Sequence, residues 1–106
     1  MPASDGPGAR AVLTMSVPSG ATDTFEAEWA RVAQWVAGQH GCLRQTLARG
    51  QGPEPVYVIT SDWADLATYQ RFERSEAQDA MTSGLRALRT TARMEVLTIV
   101  DHRETG

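Results

Sequence analysis

Four β-branched, apolar segments recur along the chain, at 10–17, 42–49, 56–63 and 94–100, and their spacing constrains the fold more than any other feature. Between the first and second lies a run at helical period: Phe25, Trp29, Val32 and Val36 fall at i, i+4, i+7 and i+11, while Glu26, Glu28, Arg31 and Gln34 lie off that stripe. Pro18-Ser19-Gly20 breaks the first strand, and Thr22 or Asp23 offers an N-cap for the helix, with Glu26 three residues after Asp23. Gly38 to Gly41 closes the helix. The second and third strands are joined by Gly50-Gln51-Gly52-Pro53-Glu54-Pro55, a turn-rich stretch suited to a hairpin. After Trp63, Asp65 caps a short helix carrying Leu66, Tyr69 and Phe72. Ser75 caps another, with Glu76 and Asp79 where the helix dipole favours acids.

The order is therefore β-α-β-β-α(α)-β. It predicts an α+β fold of the ferredoxin-like, split βαβ kind: a four-stranded antiparallel sheet with its helices on one face. Residues 1–9, rich in Pro, Gly, Ala and Ser, are expected to be a disordered tail, residues 10–102 the folded domain, and 103–106 a frayed end. Val12, Val56, Val58, Val96 and Val100 occupy one strand parity, and Leu13, Met15, Ile59, Leu97 and Ile99 the other. Both faces of the sheet are thus expected to be apolar, and a second copy of the chain is the simplest cover for the face without helices.

At 106 residues the chain is one domain with room for a thin core. The net charge of −3 argues against broad binding to nucleic acid or anionic lipid. No run approaches the ~18 apolar residues of a membrane span, and the first eight residues lack a signal peptide's basic and apolar regions, so a cytoplasmic location is expected. There is no lysine, which excludes Schiff-base chemistry by a side chain. Cys42 is the only cysteine, so no intrachain disulfide forms, and its place in an apolar strand marks it as a core residue. His40 stands at a helix end, where a cation is favoured, and His102 near the C-terminus; neither joins a cluster with metal-ligand spacing. No glycine-rich nucleotide loop and no nucleophile elbow is present, so neither metal nor cofactor is expected.

Three local patterns carry a family resemblance: Gln39-His40-Gly41-Cys42-Leu43 between the first helix and the second strand, the strand Val56 to Trp63 followed by Ala64-Asp65-Leu66-Ala67-Thr68-Tyr69, and the serine-initiated Ser75-Glu76-Ala77-Gln78. With the order of elements from Val12 to Val100, they resemble the antibiotic biosynthesis monooxygenase family of dimeric α+β barrel proteins. The resemblance implies a homodimer whose two sheets close into a barrel, with a pocket between sheet and helices in each protomer. It also implies a cofactor-free monooxygenase that oxidises an aromatic polyketide phenol or anthrone to a quinone with molecular oxygen. A cyclase, an isomerase or a ligand-binding protein on the same fold is the alternative. Trp63 matches the family's tryptophan after the third strand, and Tyr69 an aromatic about two turns later. The asparagine often found before that tryptophan is replaced by the stretch Ile59-Thr60-Ser61, and a histidine common at the start of the third helix by Gln78. Glu73 stands where haem-degrading members carry an iron-ligating histidine, so haem chemistry is not implied.

Such a reaction needs a dry pocket and dipoles for a developing anion. Trp63, Tyr69, Ser61 and Gln78 are the candidate catalytic residues, and Trp29, Tyr57, Phe72 and Arg86 the candidate substrate-binding ones. Tyr57, Ile59, Ser61 and Trp63 share one strand parity, so the face that holds Trp63 holds Ser61 as well.

Overall fold

The computed structural model describes residues 7–105. The tail expected over residues 1–9 therefore falls mostly outside the described residues, but its end does not. Ala9 opens the first strand and is buried. The elements are β1 (Ala9–Ser16), α1 (Thr22–Val36), β2 (Cys42–Arg49), β3 (Val56–Trp63), α2 (Leu66–Glu73), α3 (Glu76–Leu88) and β4 (Thr91–Thr98). The strands form one antiparallel sheet in the order β2-β3-β1-β4. This is the ferredoxin-like arrangement that the order of patterns predicts.

Two of the three expected helix caps form. Asp65 Oδ1 accepts the Thr68 N–H at 2.8 Å, and Ser75 Oγ accepts the Gln78 N–H at 3.0 Å. Each satisfies one orphan donor of a first turn. The cap expected from Thr22 or Asp23 does not form. A 3₁₀ turn at Ser19–Ala21 leads straight into α1, the Ala21 N–H reaches Pro18 O at 2.9 Å, and the capping position falls on Ala21. The tighter turn takes up backbone donors in place of a side chain.

Strand β4 runs from Thr91 to Thr98 and not from 94 to 100. Its length is set by its partner: Thr91 sits opposite Ser16 and Thr98 opposite Ala9, with Ile99 N–H bonded to Gly8 O just beyond. Val100 is past the ladder and 92% exposed. The register also corrects the expected parities. Val96 lies opposite Ala11 and Leu97 opposite Arg10, so Val96 joins Leu13 and Met15 while Leu97 joins Val12. A bulge between Cys42 and Arg44 leaves Leu43 exposed, while Leu47 packs against the core.

One face of the sheet carries Ala11, Met15, Tyr57 and Trp63 into a core completed by Phe25, Val32 and Val36 of α1, Tyr69 of α2 and Leu85 of α3. The other face is not the oily surface that the strand patterns suggest. Val12, Val58 and Leu97 are interleaved there with Thr14, Thr46, Thr60, Arg93 and Glu95. At its centre Asp62, only 2% exposed, accepts from Arg10 Nε and Nη2 at 2.6 and 2.8 Å and from Arg44 Nη1 at 2.6 Å. These charge-assisted bonds hold the Asp62 carboxyl below the usual range, the bond from Arg10 contributing most.

Candidate active site

The site begins where β3 ends. Trp63 is fully buried, and its indole Nε1–H donates to Ser61 Oγ at 2.9 Å on the same face of the strand. Because that oxygen accepts from the indole, the Ser61 hydroxyl keeps its own proton for another acceptor. Asp65 starts α2 two residues later and so brings Tyr69 and Phe72 over Trp63. The ring centroids are 5.6 Å apart, edge-on, for Tyr69 and 4.7 Å for Phe72. Trp35 of α1 backs Phe72 at 5.8 Å.

Gly41 fixes this end of the fold. Its φ is +85°, a conformation that side chains other than glycine rarely take, and a Cβ there would run into the Thr68 methyl. The Gly41 carbonyl accepts the Ala64 N–H at 2.8 Å, tying the α1–β2 turn to the start of α2.

Under the helices lies a cavity of about 110 Å³. Trp63, Ser61 and Ile59 form its floor with Ala11 and Leu13, and Trp29, Val32 and Val36 of α1 form one wall. Tyr69, Phe72 and Leu85 close it, and Gln78 and Thr82 line the side toward β4. Six of the eight residues singled out in the sequence therefore meet around one space: Trp63, Tyr69, Ser61, Gln78, Trp29 and Phe72. Arg86 lies outside it, on a cleft of about 360 Å³ between α3 and β4 that shares Leu13, Gln78, Thr82, Leu85 and Met94 with the cavity. Tyr57 is on the predicted face but not in the site. It is packed beneath Phe25 at 4.7 Å, and its hydroxyl donates to Glu26 Oε2 at 2.5 Å.

Gln45, Thr82 and Met94 also line the cavity and were not foreseen. Thr82 had a readable signal, since it stands four residues from both Gln78 and Arg86 on one helix face. Gln45 and Met94 had none, because their places depend on strand register.

Among the described residues, Tyr69 is the only one lining the cavity whose side chain titrates near or below pH 10. Burial, and then the charge of Glu73, push its phenol above the ordinary range. It stays protonated at neutral pH and serves as a hydrogen-bond donor, not as a base. Cys42 opens onto a separate surface hollow with Leu43 and Arg44, and burial raises its thiol. Among the described residues, no group of three or more His, Cys, Asp or Glu side chains is placed to hold a metal ion. No helix among them is long and apolar enough to cross a membrane.

The family model for antibiotic biosynthesis monooxygenase matches residues 9–83, and the chain belongs to that family. Among solved structures it is similar to SnoaB of Streptomyces nogalater, described as a cofactor-independent oxygenase. The identity is 29%, 94% of this chain and 97% of that chain are covered, and the TM-score is 0.79. A mutant form of SnoaB, with alanine in place of one asparagine, aligns at 28% identity over 92% and 97% of the two chains, with a TM-score of 0.82. A putative antibiotic biosynthesis monooxygenase from Caulobacter crescentus CB15, at 21% identity over 91% and 92%, shares the fold with a TM-score of 0.80. No curated protein matches the chain. Family and neighbours together support a monooxygenase.

Proposed function

We propose that this chain is a cofactor-independent monooxygenase that oxidises an aromatic polyketide-type phenol or anthrone to a quinone in antibiotic biosynthesis, working as a homodimer. The observation that carries the reading is the cavity: an aromatic-walled space whose hydroxyl donors, Ser61 and Tyr69, are set beside Trp63. The likeness to SnoaB supports the cofactor-free form of the chemistry.

An anthrone methylene reacts with one molecule of oxygen to give a carbonyl and one molecule of water. The substrate loses a proton to become an electron-rich enolate, which reduces oxygen. The resulting radical pair combines to a peroxide, and loss of water leaves the carbonyl. The residues contribute by holding charge and excluding water. Ser61, with its oxygen engaged by Trp63, and Tyr69, kept neutral by burial, present protons to the substrate oxygen as it becomes anionic. Gln78 stands at the side open to the α3–β4 cleft, where it orients a second substrate oxygen. The substrate's proton leaves to water through that cleft, since among the described residues no carboxylate or imidazole lines the cavity.

The test is oxygen uptake by the purified protein with an anthrone such as emodin anthrone and no added metal, flavin or haem. Enzyme-dependent uptake with quinone formation is expected. Trp63→Phe and Tyr69→Phe variants that both keep full turnover would discard this site. Turnover that continues unchanged without oxygen would indicate a cyclase or isomerase.

A further inference from the structure

Two surface spaces adjoin the inner cavity, one toward each edge of the sheet. On the β4 side is the cleft already described. On the β2 side is a separate hollow of about 280 Å³, lined by Ala33 and Ala37 at the end of α1 and by Cys42, Leu43 and Arg44 at the start of β2. Trp29 and Gln45 line both this hollow and the cavity, so a single layer of side chains separates the two.

The sequence explains why this wall is thin. Ala33 and Ala37 stand one turn apart on one face of the helix, and their methyls leave the gap to β2 unfilled. The bulge between Cys42 and Arg44 leaves Leu43 at the rim, 57% exposed. Gln45 is held across the gap by one bond, from its Nε2 to Ala33 O at 2.9 Å. That carbonyl also accepts the Ala37 N–H at 2.9 Å. Swinging Gln45 outward therefore orphans no backbone acceptor, and water replaces what the amide loses. Trp29 is the bulky part of the wall, and Gln45 the part that is cheap to move.

The reaction proposed above gives such a passage a use. A dry cavity of about 150 Å³ holds benzene, and this one measures about 110 Å³. One reacting ring fills it, and the rest of a larger substrate lies in the cleft on the β4 side. Dioxygen is consumed once per turnover and then needs another way in. We propose that the hollow on the β2 side is the oxygen entrance, with Gln45 as its latch. Trp29, Ala33, Ala37 and Leu43 give the hollow a largely apolar lining, into which a small apolar gas partitions from water. Gln45 lies opposite Ser61, on the helix side of the sheet, so pairing through the face without helices leaves the passage open. The inference rests on the cavity being the site of an oxygenase.

Two measurements separate the passage from its use. Dissolved oxygen is paramagnetic, so under oxygen pressure it speeds the NMR relaxation of methyl groups along its route. The Ala33 and Ala37 methyls are expected to show at least ~threefold more enhancement than the methyl of Ala27, an exposed residue of α1. In Gln45→Ala the Ala11 methyl, on the cavity floor, should gain enhancement over wild type. In steady-state oxygen uptake with an anthrone, Ala37→Leu narrows the hollow and should raise the KM for oxygen at least ~threefold, with the anthrone KM and the kcat at saturating oxygen unchanged. Alkylating Cys42 with N-ethylmaleimide fills the same hollow without a substitution and should act alike. An oxygen KM unchanged in both blocked forms, or Ala33 and Ala37 methyls relaxed no more than Ala27, would overturn the proposal. So would an anthrone KM that rises along with the oxygen KM, since the hollow would then be a mouth for the substrate. Enhancement along the hollow in a protein that consumes no oxygen with anthrones would keep the passage and discard the oxygenase reading.

Discussion

Tyr57 and Tyr69 approach the same face of the same sheet from opposite ends of β3, and they end in opposite kinds of environment. At the Tyr57 end the interior is solid. Phe25 lies on the phenol ring, Met15 is its neighbour across the strands, and the hydroxyl is committed to Glu26. At the Tyr69 end, six residues along the strand, the rings of Trp63, Tyr69 and Phe72 surround a space they do not fill. The difference arises from the groups opposite β3. A phenylalanine from α1 enters the sheet at one end. At the other, small residues (Ala11 and Ser61) sit beneath the helices. One end is filled, and the other leaves the space in which the proposed substrate is placed.

The severest test of that division is Phe25→Ala. The side chain is fully buried, and its loss should cost about 3–5 kcal/mol of unfolding free energy. Urea denaturation measures the loss. Activity per folded molecule should stay within twofold, because Phe25 does not line the cavity. A parallel collapse of turnover in protein that remains folded would show that the two ends are one unit.

Next in size is Tyr69→Phe. Removing one preorganised donor from a developing oxyanion typically costs about 10²-fold in kcat. Stability should change little, because among the described residues the hydroxyl has no side-chain partner. A variant whose KM rises while kcat holds would reassign Tyr69 to binding alone.

How much of this division is legible in the sequence follows from the range of each signal. Local signals are legible: the stripe from Phe25 to Val36, the caps at Asp65 and Ser75, and the parity linking Ser61 to Trp63. Nonlocal ones are not. Which end of the shared face is hollow depends on the residues that α1 places opposite it, and so parity alone groups Tyr57 with the site. The Arg10–Asp62–Arg44 group, in which two partly exposed arginines cover a buried carboxylate, needs three strands in register, with a bulge in β2, and no spacing along the chain announces it. It also changes the argument for pairing. A face that carries a satisfied charge cluster and several threonines is not forced into burial by oil alone, so the proposed homodimer draws its support from family membership and not from the sheet.

The smallest effect is the most diagnostic of the solid end. Tyr57→Phe deletes one hydrogen bond to a carboxylate and should cost about 1 kcal/mol at neutral pH, with kcat unchanged. The cost should depend on pH in a definite sense. Burial, then the bond to Glu26, raise the Tyr57 phenol above its ordinary value of about 10. A raised pKa means that the folded state favours the protonated form more than the unfolded state does. Its contribution is complete below pH ~10 and is lost as pH climbs through the higher folded value. The stability gap between wild type and Tyr57→Phe should therefore be constant from about pH 7 to 9 and narrow above pH ~10, as read from urea midpoints. A gap that widens with alkali would mean that the phenolate is the favoured form, and that Arg49, whose guanidinium carbon lies 5.9 Å from the ring centroid, outweighs Glu26. The end of the sheet assigned here to stability would then hold a stabilised anion, and the contrast with Tyr69 would fail where it is sharpest.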